Sequence, residues 1–198
     1  MTTRGILVAV AMGFVSAGRP ASQGPTIPVT EPDEMAMALG AAPESLRADA
    51  GVLVTAKDGY QQVRPTRNGL TCLVEHERPD TNEPTCWDPE GTATIMPLAL
   101  DRAKWRAAGM SEDAVARKTA EGFADGTYRA PRRAGIAYML SAHNYVFNGQ
   151  KVIHYSPHVM SYAPYLHNAD IGSTGNDPNA PWILNEGSPH AYIIVVTR

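Results

Sequence analysis

The chain offers little with which to hold a membrane, a nucleic acid or a familiar cofactor. Its longest uncharged apolar run, Gly5 to Ala17, falls well short of the roughly 20 residues that a bilayer-crossing helix needs. Charged residues make up only 19% of the 198, and the formal net charge is −3. The densest basic group, Arg129, Arg132 and Arg133, reads as a solvated loop. A nucleic-acid binder would show a basic stripe and a high pI, so no nucleic-acid partner is expected. Two cysteines, Cys72 and Cys86, rule out any paired CxxC metal motif. Also absent are a GxGxxG after a strand, a Walker loop, HExxH, GxSxG and an EF-hand loop. Asn168 to Asp177 holds oxygen ligands and glycines, but not at the regular spacing of a calcium loop. Any function must therefore be read from the clustering of residues.

What is present begins with a secretory pattern. Arg4 supplies a positive start, Gly5 to Ala17 an apolar core, and Val15-Ser16-Ala17 small residues at a cleavage position. The expectation is a signal peptide over 1–17, a flexible mature N-terminus over 18–30, and a single α+β domain over 31–198. The competing reading of the run is a buried helix or strand. Cleavage would leave no stable membrane span, and no cysteine follows the run to anchor a lipid. Export, to a periplasm or beyond the cell, puts Cys72 and Cys86 in an oxidising compartment. An intramolecular bridge is then expected between them, closing a loop rich in proline and asparagine. The alternative is a pair of free thiols.

The expected fold is α+β: a mainly antiparallel sheet, a helical hairpin packed on it, and a long C-terminal loop region. Thr30 to Leu39 reads as a helix with Thr30 as its cap. Val52 to Val54, Tyr60 to Val63 and Leu70 to Val74 read as a three-stranded meander, with turns at Asp58-Gly59 and Asn68-Gly69. Pro97 to Ala108 reads as a helix, and Ser111 caps a second one ending at Gly126. Val115, Thr119 and Phe123 recur at i, i+4, i+8 and make one narrow face of that second helix. Trp105 is the expected anchor of the hairpin. Gly135 to Leu140 is a further strand, and Tyr145 to Phe147 with Val152 to Tyr155 form a hairpin around Asn148-Gly149. Ser156 to Pro189 is expected to be irregular, and Ala191 to Val196 to be a central strand buried on both faces.

Five of the six histidines lie between His143 and His190, and Tyr155 to His167 is dense in Tyr and His. Long ordered loops in compact domains are more often functional than connecting segments are on average. The candidate ligand-binding set is His143, His158, Tyr162, His167, Glu186 and His190. Within it His158, His167 and His190 form a candidate metal set, with Asp170 and Glu186 as available carboxylates. Glu186, Ser188 and His190 have the residue types of a catalytic triad, but Gly187 and Pro189 interrupt regular extension. Trp87 and Trp182 flank proline-rich turns and could stack on a ligand. Two readings stay open. One is an exported protein with a small-molecule or metal site in the His- and aromatic-rich C-terminal region, with no particular cofactor implied. The other is a non-catalytic binding or interaction module of the cell envelope, whose partner would be an envelope protein.

The segments NGLTCLVE (68–75), APRRAGIAYMLS (130–141), PHVMSYAPYLHNADIG (157–172) and EGSPHAYIIVV (186–196) resemble those of a family of uncharacterised exported bacterial proteins. The resemblance spans most of the chain after Gly51. It implies export and a single domain, and it implies no activity, cofactor or catalytic residue.

Overall fold

The computed structural model describes residues 31–57, 59–148, 150–175, 177 and 180–197. The expected leader and linker lie outside the described residues, as do the expected cap Thr30 and the turn residues Asp58 and Gly149. Among the described residues no helix is long and apolar enough to cross a membrane.

The fold is α+β, built on an eight-stranded, mainly antiparallel sheet. Helix α1 (Glu31–Gly40) and the single turn α2 (Glu44–Arg47) come first. Strand β1 (Gly51–Ala56) pairs antiparallel with β2 (Gly59–Arg64), as the hairpin reading requires. The third strand, β3 (Thr71–Glu75), departs from the expected meander. It runs parallel to β1, on the edge that β2 leaves free. The physical reason lies in the side chains. Gln61 and Gln62 of β2 are exposed, so β2 suits a sheet edge. Val52, Leu53 and Val54 of β1 are buried on both faces, so β1 belongs inside the sheet.

Strand β4 (Glu83–Trp87) returns antiparallel to β3. Reading the segment between the cysteines as a loop missed it, because Pro79, Asn82 and Pro84 mask its pattern. Cys72 and Cys86 sit directly opposite each other and form a disulfide, buried in the core. Asp88 then caps α3 (Pro89–Thr94) by accepting the Gly91 N–H at 2.9 Å. Helix α4 (Met96–Ala107) follows with Pro97 in its first turn, and α5 (Glu112–Ala124) is capped by Ser111. These two make the expected hairpin. Trp105 is only half buried, edge-on to Tyr128 at 6.5 Å with Lys118 over its ring. The buried anchors on α4 are Leu98 and Ala99.

Strand β5 (Ile136–Met139) joins β4. β6 (Tyr145–Phe147) and β7 (Val152–His154) form a separate two-stranded ribbon. The stretch from Ser156 to Pro189 is less irregular than its composition suggests. It contains β8 (His158–Tyr162), paired to β5, a 3₁₀ turn (Asn168–Ile171) and β9 (Trp182–Leu184). Strand β10 (Tyr192–Val196) lies between β8 and β9. It alternates instead of being buried on both faces: Tyr192 and Ile194 are buried, while Val195 is exposed.

The sheet separates two apolar clusters. On the α1 side, Ala38 and Ala42 pack with Val52, Val54, Cys72, Val74 and Cys86. On the α4 side, Leu53, Leu73, Trp87, Met160, Tyr192 and Ile194 pack with Ile95 and Ala99. Asp88 ties the second side together. Its carboxylate also accepts from the Ile136 N–H at 2.9 Å and from the Tyr162 hydroxyl at 2.8 Å. Gly91 makes room for that hydroxyl, because a Cβ there would collide with it and lie 2.8 Å from the Trp87 ring.

Gly91→Ala should therefore destabilise the protein by about 1–3 kcal/mol through overpacking, read as a lowered urea midpoint in equilibrium unfolding. Replacing Cys72 and Cys86 together by Ala should cost about 3 kcal/mol, the chain-entropy value for a loop of this size. Reductant should lower the stability of the wild type by a similar amount and leave that double variant unchanged.

Candidate functional site

Period-two alternation along β3 and β4 decides which side chains share a face. Cys72, Val74 and Cys86 point to the α1 side. Leu73, Glu75, Glu83, Thr85 and Trp87 fall on the other side, where four of them line a cavity of about 490 Å³. In the register of the pair, Glu75 lies directly opposite Glu83. Strands β8 and β10 extend the floor with His158, Met160, Tyr192 and Ile194. One wall is α4, through Leu98, Ala99, Arg102 and Arg106. The opposite wall is the β6–β7 ribbon, through Val146, Phe147 and Ile153. The ribbon is held by a bridge between Asn82 and Tyr145, and by the Arg78 guanidinium stacked 4.3 Å over the Phe147 ring. Trp182 and Tyr155 close one end.

The polar groups of the cavity are few and specific. Arg102 donates from Nε to the Thr119 hydroxyl at 3.2 Å and from Nη2 to His190 Nε2 at 3.1 Å. A guanidinium only donates, so the ring proton of His190 must sit on Nδ1. That Nδ1 is buried and has no partner among the described residues. Burial, then the charge of Arg102, pushes the His190 pKa down to about 4 and keeps the ring neutral. Phe123 stacks flat on the ring at 5.3 Å. The narrow face of α5 thus supports the site, with Thr119 under Arg102 and Phe123 against His190. His158 donates from Nδ1 to the Ser156 carbonyl at 2.8 Å, which leaves Nε2 as an acceptor. Burial lowers its pKa. The indole of Trp182 donates to the Tyr155 hydroxyl at 3.2 Å, and that of Trp87 to the Tyr192 hydroxyl at 3.1 Å.

The facing carboxyls are the least ordinary feature. Burial, aided by the neighbouring Glu75 and Glu77, raises Glu83 to about 9. Burial raises Glu75 to about 7, although Arg102 and Arg106 pull the other way. Two carboxyls opposed in register titrate as a pair, and between about pH 7 and 9 the pair retains one proton. Glu83 Oε1 is buried with no partner among the described residues. Arg106 is satisfied elsewhere. It makes a two-point pair with Glu112, 2.9 Å on each arm, and reaches Glu77 at 3.3 Å. Arg102 differs, because among the described residues no carboxylate lies within 4.0 Å of it.

The histidine-rich set expected from the sequence divides among several places. His158 and His190 line the cavity. His143 lies on a separate open groove beside α1, its N–H bonded to the Ser141 hydroxyl at 3.0 Å. Tyr162 belongs to the core through Asp88. His167 and Glu186 are exposed and face each other at 3.5 Å, and Glu186 also accepts the Asn168 N–H at 2.6 Å. That occupation takes Glu186 away from Ser188 and His190. Asp170 caps the 3₁₀ turn by accepting the His167 N–H at 2.7 Å. Among the described residues no group of three His, Cys, Asp or Glu is placed to hold a metal ion. Topology explains the separation of the two cavity histidines. Tyr192 pairs with Tyr162 and Val196 with His158, so His158 and His190, two residues before β10, stand at opposite ends of a strand pair about 13 Å long.

Sequence reasoning did not single out Glu75, Glu83 or Arg102. Glu75 was within reach, because it follows Leu73 at the strand period. Glu83 was hidden with β4, and Arg102 looked like an ordinary helix charge. Comparison of the chain with protein-family models, curated proteins and solved structures gave no match.

The raised carboxyls give a defined pH dependence. Folded Glu75 and Glu83 hold protons more tightly than the unfolded chain does, so their contribution is complete below the ordinary carboxylate range. It is lost as pH rises through about 7 and then about 9. His190 acts oppositely, since its neutral form is favoured in the fold. Its contribution grows from about pH 4 and is complete once the unfolded imidazole has also lost its proton. Between pH 7 and 9 the Glu83 effect stands alone of the two. Urea unfolding should show stability falling across that interval, and Glu83→Gln should flatten the fall.

Proposed function

We propose that this is an exported protein whose cavity binds a small organic molecule with an apolar body and several polar groups. The observation that carries this reading is the pairing of aromatic walls with buried polar atoms that lack partners. Ligand pockets span about 300–1,000 Å³ and combine apolar linings with a few convergent polar groups. The cavity, at about 490 Å³, lies within that range. Glu83 Oε1 and His190 Nδ1 go unsatisfied in the protein itself. Each such group costs about 1–3 kcal/mol, and a bound molecule offering a donor to one and an acceptor to the other would offset that cost. Export is supported by the leader pattern of residues 1–17, and the Cys72–Cys86 bridge is compatible with it.

The three tryptophans allow a direct test. Trp87 and Trp182 line the cavity, whereas Trp105 sits against Tyr128 and Lys118. In NMR spectra recorded against a panel of small amines, acids, amino acids and sugars, binders should shift the indole N–H signals of Trp87 and Trp182 and leave that of Trp105 in place. Ala99→Phe, which fills the wall, should abolish the shifts. A panel that moves none of the three signals, or that moves Trp105 alone, would remove the cavity as the functional site.

A further inference from the structure

We propose that the cavity selects a small zwitterion of the amino-acid type, its carboxylate placed on Arg102, its ammonium between Glu75 and Glu83, and its apolar side chain among the aromatic rings. The inference rests on the cavity being a ligand site and adds the chemical class of the ligand.

The cationic end comes from α4. Arg102 is half-buried, and its two side-chain partners, Thr119 and His190, are both uncharged. Buried charges are normally paired. Here the guanidinium keeps further N–H donors in the fork geometry that matches a carboxylate. Arg106, one turn later, does not compete for the ligand, because Glu77 and Glu112 hold it. His190 is 9% exposed, and its unpartnered Nδ1–H adds a neutral donor to the wall.

The anionic end comes from the β3–β4 register. Residues directly opposed on antiparallel strands have Cβ atoms about 4.5–5.5 Å apart, and like charges there repel. Glu75 and Glu83 are such a pair. An ammonium group has three donors and a full charge, so one such group can satisfy both carboxylates at once. A hydroxyl has a single donor and no charge to offset theirs. An amine alone would compete with Arg102 for the charge of Glu75, its main electrostatic support. A carboxylic acid alone would pair with Arg102 and leave Glu83 Oε1 without a donor. Only a molecule with both groups neutralises both ends.

A proton balance follows. When the ammonium enters, both carboxyls ionise, and the proton the pair retains leaves to solvent. The other titratable and charged groups within electrostatic reach of the pair are Tyr60 from β2, Glu77 beyond β3, Arg102 and Arg106 from α4, and Tyr192 from β10. Burial pushes both tyrosines up, away from the working range. The carboxyl pair is therefore the group that exchanges a proton near pH 8.

Calorimetry on the disulfide-bonded protein at pH 8, in two buffers of different ionisation enthalpy, tests this with one matched series. The series is phenylalanine, phenethylamine, 3-phenylpropanoate and 3-phenylpropanol, with leucine as a second amino acid. An amino acid should bind roughly tenfold or more tighter than each analogue lacking a charge. Phenylalanine and phenethylamine should release protons, and phenylpropanoate should not. Glu83→Gln should remove the proton release, and Arg102→Gln should bring phenylalanine down to the affinity of phenethylamine. The ligand series on wild-type protein carries the test even if either variant fails to fold. Equal affinities across the series, or tightest binding by the alcohol with shifts at Trp87 and Trp182, would overturn the zwitterion and leave the cavity as a ligand site. Absence of binding by the whole series, with silent Trp87 and Trp182 signals, would overturn both.

Discussion

The register between β3 and β4 is the constraint on which the rest of the structure depends. It sets Cys72 against Cys86 on one face, and three residues further along it sets Glu75 against Glu83 on the other. A slip of one residue would reverse the faces. With β4 slipped, Glu83 would meet the apolar cluster under α1 and Cys86 would enter the cavity, away from Cys72. The disulfide holds the pairing covalently at the depth of the core. The carboxyl pair nearby stays face to face because the strands that carry it cannot shift, and its raised pKa values keep a proton on it.

The cavity is made by layers that support one another. The sheet supplies the floor and the carboxyls. Helix α4 supplies the cation, and α5 holds that cation from behind through Thr119 while Phe123 fixes the plane of His190. Asp88 links α3, β5 and β8 through three hydrogen bonds, so the edge of the floor is tied to the helical layer. The β6–β7 ribbon covers the opposite side and is joined to the tip of the β3–β4 hairpin. Arg102, His190 and His158 are thus oriented by Thr119, Phe123 and the Ser156 carbonyl, none of which lines the cavity. Such preorganisation lowers the cost of binding, because few side chains must be ordered when a ligand enters.

Much of the fold was legible where the local pattern and the tertiary environment agree. The α4–α5 hairpin showed its proline, its serine cap and its glycine stop, and the β1–β2 and β6–β7 hairpins showed their apolar runs. The i, i+4, i+8 face of α5 was legible too, although its role behind Arg102 and His190 was not. Strand β4 was not legible, because Pro84 and the polar loop before it mask the alternation. Strand β8 was hidden within a proline-rich stretch. The parallel pairing of β1 with β3 could not be seen locally, since it depends on which edge of β1 the chain returns to. The histidine density pointed to the correct region but to only part of the site. His158 and His190 reach the cavity, while His143, Tyr162, His167 and Glu186 are engaged elsewhere by their own hydrogen bonds.

The sequence by itself determined the local matters: which segments are amphipathic, where helices start and stop, the α+β class, and the availability of one cysteine pair. Those follow from propensity and periodicity, which act over a few neighbouring residues. Only the tertiary structure decided that two glutamates eight positions apart would face each other. It also decided that an arginine on α4 would line the same cavity, with no carboxylate within 4.0 Å among the described residues. Strand register and the choice of pairing edge bring distant residues together, and their energies come from whole faces being buried at once. No short stretch of the chain contains that information.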